Sequence, residues 1–169
     1  HVLMKASLLI STLIFSFAIS APIVAQAPPP SQGSLTELWR TDAVLTTCES
    51  VLYDEDLDLL FVSCINGQPT EKNGKGFIAL LKPDGSIKKL EWVTGLNAPK
   101  GMGIHAGNLY VTDIDELVVI HIKRAKITSR IKVDGASFLN DISIAKDGKI
   151  YFSDSDTGIV WYYKDGEFV

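Results

Sequence analysis

One short strand pattern occurs three times in this chain and constrains its fold more than any other feature. Each copy has three apolar or aromatic residues followed by Ser or Thr: Leu60-Phe61-Val62-Ser63, Leu109-Tyr110-Val111-Thr112 and Ile150-Tyr151-Phe152-Ser153. Taking Phe61, Tyr110 and Tyr151 as equivalent gives spacings of 49 and 41 residues. Tandem units of roughly 40 to 50 residues are typical of β-propeller blades with four short strands each. The pattern therefore predicts an all-β chain of about three consecutive blades.

Turn signals divide each of these units into four strands. Apolar alternation is interrupted by Asp84-Gly85, Asp147-Gly148 and Asp165-Gly166, which are typical of tight turns between antiparallel strands. The inner strands of the second and third blades are predicted to begin at Met102 and Ile142, and the chain stops within a strand that starts at Glu167. No segment has a convincing helical period. We interpret the sequence as a piece of a longer open reading frame, with the propeller over residues 38–169.

A polar residue precedes the predicted first strand of every unit: Glu49, Lys100 and Asn140. In a propeller the innermost strand begins beside the central channel, so these three residues are expected to share one face. Lys100 would there bind an anionic group or neutralise Glu49, the alternative being an ordinary exposed lysine. The polar stretch 66–76 either overhangs the channel mouth or is a solvated insertion.

The amino terminus has the features of a secretory signal peptide. Residues 1–27 contain one charged residue, Lys5, an apolar run from Leu8 to Ala18 and small-residue triplets suited to cleavage. The run is shorter than the ~18 to 20 apolar residues of a membrane span. We expect a secreted or periplasmic protein, with no membrane attachment after cleavage and with a linker over residues 28–37.

Charge excludes one class of partner. Without residues 1–27 the chain has 15 basic and 20 acidic residues, a net charge of −5, and it has no basic stripe to hold nucleic acid. We expect a small-molecule substrate and a monomer. His105 and His121 are not accompanied by the nucleophile motif or catalytic Cys that a hydrolytic triad needs, and are expected to be packing or surface residues.

Two segments resemble the gluconolactonase, regucalcin and luciferin-regenerating-enzyme family. They are Glu49-Ser50-Val51-Leu52-Tyr53-Asp54 with Leu59-Leu60-Phe61-Val62-Ser63, and Phe138-Leu139-Asn140-Asp141-Ile142 with Asp147-Gly148 and Tyr151-Phe152-Ser153-Asp154. The resemblance covers about residues 38–169, the first half of that fold. It implies a six-bladed propeller when complete, with a divalent metal, often calcium, at the top of the channel, and hydrolysis of lactones.

The resemblance also implies roles for individual residues. The metal-ligating Glu of the family's first blade maps onto Glu49, and the substrate-facing Asn of its Asn-Asp motif maps onto Asn140, followed by Asp141. The remaining ligands would lie beyond Val169. A structural Glu at the channel, an Asn that braces a turn and a structural Asp are the alternatives for these three residues.

Two functions remain open from the sequence. The first is a divalent-metal-dependent hydrolase of lactones or related small esters, in which a carboxylate takes the proton of a bound water. The second is a non-catalytic secreted propeller that binds ligands or proteins, because one fold hosts both. Asp113 and Asp154 end their strands on the same face and are expected to bond loop amides, with a site role as the alternative.

The chain's two cysteines are predicted to face each other. Cys48 enters the first strand and Cys64 ends the second, so a hairpin turning around Asp56 places them directly across an antiparallel pair. That spacing is compatible with a disulfide, which a secretory compartment would permit. The alternative is two reduced thiols, because a shift of one residue would turn the side chains to opposite faces.

Overall fold

The structure is a computed structural model and describes residues 33–168. The predicted signal peptide and the linker residues before 33 lie outside the described residues, and residues 33–37 have no regular secondary structure. Over the described range, no helix has the length and apolarity that crossing a bilayer would require.

Twelve strands and one short 3₁₀ turn make up the regular structure of residues 33–168. The strands are β1 Cys48–Asp54, β2 Leu59–Cys64, β3 Gly76–Leu81, β4 Ile87–Leu96, β5 Pro99–His105, β6 Asn108–Asp113, β7 Glu116–His121, β8 Lys126–Lys132, β9 Leu139–Ile144, β10 Ile150–Asp154, β11 Val160–Lys164 and β12 Glu167–Phe168. The 3₁₀ turn, Ile122–Arg124, lies between β7 and β8.

Each group of four consecutive strands forms its own antiparallel sheet, ordered as in the chain: β1 to β4, β5 to β8 and β9 to β12. The inner strands lie side by side, with β1 packed against β5 and β5 against β9. The predicted all-β fold of three consecutive propeller blades is thereby confirmed.

The core lies between the faces of neighbouring blades. Blades 1 and 2 enclose Phe61, Ile78, Leu109 and Val111, none of which has measurable exposure. A second cluster, around Leu139 and the other buried apolar residues Leu117, Val133, Ile150 and Phe152, joins blades 2 and 3. Burial of apolar faces against each other is the main stabilising contribution in such stacked sheets.

All three inner strands contain a β-bulge at the same place. Two consecutive residues of β1, β5 and β9 oppose one residue of the second strand: Glu49-Ser50 opposite Ser63, Lys100-Gly101 opposite Thr112 and Asn140-Asp141 opposite Ser153. The prediction that β5 and β9 begin at Met102 and Ile142 is wrong, because pairing continues past the bulge to Pro99 and Leu139. The candidate residues therefore lie inside the strands.

Candidate functional site

The three bulges bring the candidate residues of different blades together. A β-bulge re-aims a side chain out of the regular alternation of its strand, and such features often border active sites. The first bulge residue is polar in every blade: Glu49, Lys100 or Asn140. Because β1, β5 and β9 are neighbours, these side chains lie at the same edge of the array.

Hydroxyl groups opposite the bulges hold their backbones. Ser63 Oγ accepts a hydrogen bond from Ser50 N at 3.1 Å, and Ser153 Oγ accepts one from Asp141 N at 3.2 Å. Thr112 is fully buried, and its hydroxyl donates to Asn140 O in the next blade. The recurring Ser or Thr of the sequence pattern therefore fixes the site's backbone, a role that the sequence analysis did not assign.

Glu49 is an exposed residue whose carboxylate is partly withdrawn from water. Desolvation and the negative charge of Asp141 raise the pKa of Glu49, whereas the positive charge of Lys100 opposes that rise. These directions agree with the geometry, because the bulges that carry Glu49, Lys100 and Asp141 lie on the neighbouring strands β1, β5 and β9.

Lys100 is only 1% exposed, so the alternative of an ordinary exposed lysine is wrong. Its Nζ donates to Ala98 O at 2.9 Å and to Pro69 O at 2.8 Å, and it lies 4.7 Å from the centre of the Phe138 ring. Burial lowers the pKa of Lys100, against the opposing charges of Asp113 and Glu49. No carboxylate of the described residues comes within 4.0 Å of this ammonium group.

Asn140 carries a buried acceptor atom that has no partner among the described residues. Its Nδ2 donates to Ser155 Oγ at 3.2 Å, while its Oδ1 is buried and accepts no hydrogen bond there. Unpaired buried acceptors are costly and therefore uncommon in folded proteins. Asn140 Oδ1 thus has unused acceptor capacity, and the residue that follows it, Asp141, is exposed.

Carboxylates at the ends of the second strands fasten the loops that lead into the site. Asp113 accepts hydrogen bonds from Asn97 N at 2.9 Å and from Ala98 N at 2.7 Å, directly before Pro99 and Lys100. This confirms the expectation that Asp113 bonds loop amides.

Asp154 fastens the loops next to the site in blade 3, as Asp113 does in blade 2, but it accepts hydrogen bonds from more backbone amides. It accepts hydrogen bonds from the amides of Ser137, Phe138, Asp156 and Thr157 at 2.9 to 3.3 Å. Its burial acts to raise its pKa, but these four amides prevail and hold the pKa of Asp154 below its usual value. We call Asp113 and Asp154 the carboxylate clamps; both brace the site's backbone.

Cys64 occupies the clamp position in blade 1. It pairs with Cys48 directly before the bulge, as Asp113 pairs with Pro99. The predicted register of the two cysteines is therefore confirmed. Both are free thiols in the structure, so the bond between them stays a prediction. Burial raises the pKa of Cys64 to about 12, with a smaller contribution from Cys48.

The oxygen donors present suit a hard divalent cation as part of a ligand set. The Glu49 carboxylate, the Asp141 carboxylate and the unpaired Asn140 Oδ1 are the kinds of donor that calcium takes, and it binds six to eight oxygens. Within residues 33–168, no three His, Cys, Asp or Glu side chains come close enough to hold a metal. A cation would therefore need further donors.

No family model and no curated protein matches this chain. These comparisons assign the chain to no family. Among solved structures, it is similar to a catalytically inactive variant of virginiamycin B lyase from Staphylococcus aureus, crystallised with quinupristin, with a TM-score of 0.48 and 14% identity. The match covers 76% of this chain and 56% of that one, so the chain spans little more than half of that protein.

Proposed function

We propose that this protein is a secreted or periplasmic β-propeller hydrolase of lactones or related small esters that works with a divalent cation, best calcium. One observation carries the proposal: the unpaired, buried Asn140 Oδ1 lies in the bulge of blade 3 next to Asp141, and burial together with the charge of Asp141 raises the pKa of Glu49 in spite of Lys100. Two carboxylates that repel each other and an unsatisfied amide oxygen favour a bound cation.

Further blades would complete the site. Large apolar residues are exposed on the outer blades of the described array, with Val51 64% exposed on blade 1 and Val160 69% exposed on blade 3. Faces of this kind are covered in a closed propeller. We propose six blades in the complete protein, with the missing cation ligands contributed by the later ones.

Each residue of the site has a defined part in the proposed reaction. Glu49 and Asn140 Oδ1 would hold the cation, which would polarise the substrate carbonyl and acidify a bound water. Asp141 would take the proton from the attacking water as its oxygen adds to the acyl carbon. The ester C–O bond then breaks, and the same proton passes to the leaving oxygen. Thr112 and Ser153 keep the strand carrying Asn140 and Asp141 in position.

The test is hydrolysis of a neutral lactone by the purified full-length protein with calcium, magnesium, manganese or zinc, and after chelation. We expect cation-dependent turnover, and we expect Glu49→Gln to lower it about tenfold or more because it removes a charged oxygen ligand. Glu91→Gln is the matched control, because Glu91 is an exposed residue of β4 away from the bulges, and it should leave turnover unchanged. Calcium binding without hydrolysis of any lactone or ester would reject the hydrolase and leave a ligand-binding propeller.

A further inference from the structure

Residues 66–75 of the loop between β2 and β3 are attached to the neighbouring blade. The loop's Pro69 carbonyl accepts the hydrogen bond from Lys100 Nζ, and its Lys72 Nζ lies 2.7 Å from Asp115 Oδ2. Lys100 belongs to the inner strand of blade 2, and Asp115 to the link between β6 and β7. The loop is therefore held at the bulge of blade 2 and at a second point on the same blade.

A third contact and the loop's own hydrogen bonds complete this attachment. Gly74 N donates to Asn97 Oδ1 at 3.2 Å, and Asn66 Nδ2 donates to Lys75 O at 3.4 Å, which ties the two ends of the loop together. The corresponding link of blade 2 is only residues 114–115. The long loop of blade 1 is thus tied to blade 2 at defined points, while most of its residues are exposed to solvent.

The ammonium group of Lys100 is enclosed by protein. Two of its three N–H groups donate to carbonyl oxygens, and the face of Phe138 lies 4.7 Å from Nζ. The residue is 1% exposed, and one of its partners is the loop itself. The interpretation that Lys100 binds an anionic substrate group would require the loop to leave.

The charges that remain accessible at the bulges are negative. Glu49 and Asp141 are exposed, while the single cation among the bulge residues, Lys100, is covered. In the proposed function these two negative charges balance the divalent cation, so the bulges offer no net positive charge to a substrate carboxylate and favour neutral ligands.

We propose that residues 66–75 are a fixed wall of the binding site, fastened by Lys100, and that this arrangement selects uncharged substrates over substrates carrying a carboxylate. The part about substrates rests on the proposed function, whereas the attachment of the loop does not. Lys100 is accordingly a positioning residue, and Pro69 and its neighbours are specificity-determining.

Proteolysis tests the attachment without any activity. The loop contains one glutamate, Glu71, after which a glutamyl endopeptidase cuts, and cleavage of folded protein reports local opening. Lys100→Met removes the ammonium but keeps the apolar stem, and we expect cleavage after Glu71 to become about tenfold faster. Lys72→Met, at the exposed end of the ion pair, should increase it by a smaller factor. Lys146→Met, in the exposed turn between β9 and β10, is the control.

Equal cleavage rates in Lys72→Met and in the Lys146→Met control would overturn the attachment, and so would an unchanged rate in folded Lys100→Met. Because Lys72 directly follows the scissile bond, each cleavage rate is divided by the rate for the same variant unfolded in urea, and this ratio decides the matter even where Lys100→Met does not fold.

Selectivity is tested with δ-valerolactone and a derivative of it that carries one carboxylate. Wild-type protein should favour the neutral probe in kcat/KM, and Lys100→Met should change kcat/KM for both probes by the same factor. A loss confined to the anionic probe would overturn the inference, because Lys100 would then be the ligand of that carboxylate. If neither probe is hydrolysed, the proposed function fails and the substrate selectivity with it, while the cleavage rates still decide the attachment of the loop.

Discussion

Replacing Asp154 by Ala should destabilise the protein by about 3 kcal/mol, a loss of about 10 °C in Tm for a domain of this size. The substitution leaves four backbone amides without their acceptor. An unsatisfied buried donor costs roughly 1 to 3 kcal/mol, but water can reach several of these amides because their residues are exposed. Chemical denaturation of the purified variant measures the change. Asp156→Ala, two residues away and exposed, should alter stability by less than about 0.5 kcal/mol.

The effect of Asp154 should depend on pH. Its pKa is lowered in the folded state, so its stabilisation is fully present above the pKa of the unfolded chain and is lost as the pH falls through the lower, folded value. The difference between wild type and Asp154→Ala should therefore shrink in acid. A constant difference down to the acid transition would show that Asp154 does not act as an ionised clamp.

Oxidation of Cys48 and Cys64 to a disulfide should stabilise the protein by about 3 kcal/mol, the value expected for closing a loop of this length. The two residues are paired across β1 and β2, and Cys64 stands where blades 2 and 3 have a carboxylate clamp. We therefore predict that a covalent bond replaces the clamp in blade 1 and fixes the entry to Glu49. The two thiols lose two protons and two electrons to an incoming disulfide, which is reduced.

Thiol titration of the secreted protein, unfolded without reductant, checks the bond. No free thiol at a monomeric mass supports it, and two free thiols per chain contradict it. Reduction should then lower the free energy of unfolding, and Cys48→Ser/Cys64→Ser should match the reduced protein.

Much of the fold was predictable because it depends on local patterns. The Asp-Gly turns and the cysteine register reflect contacts within one hairpin, the tripled motif marks the second strand of each blade, and the structure confirms all three. The equivalence of Glu49, Lys100 and Asn140 was also correct, since the same bulge occupies the same place in every blade.

Contacts between blades were not predictable in this way. The bulges extend β5 and β9 beyond the apolar alternation, so the inner strands begin earlier than the pattern indicated. The burial of Lys100 depends on a carbonyl 31 residues away in the chain and on a ring in the next blade. Gly101 and Gly103 are local signals that β5 and β9 approach closely, because a Cβ at Gly101 would clash with Asn140 O and one at Gly103 with the side chains of Ile142 and Ile144.

The measurement that tests the central claim most directly is an NMR titration of the Glu49 carboxyl group in wild type and in Asp141→Asn. If the bulges of blades 1 and 3 bring the two carboxylates into one site, the pKa of Glu49 lies above that of an ordinary glutamate and falls when the Asp141 charge is removed. The pKa does not fall to the ordinary value, because the desolvation of Glu49 remains. Asp134→Asn, exposed and outside the bulges, should leave it unchanged. An ordinary pKa for Glu49 that is indifferent to Asp141→Asn would contradict a shared site at the inner strands.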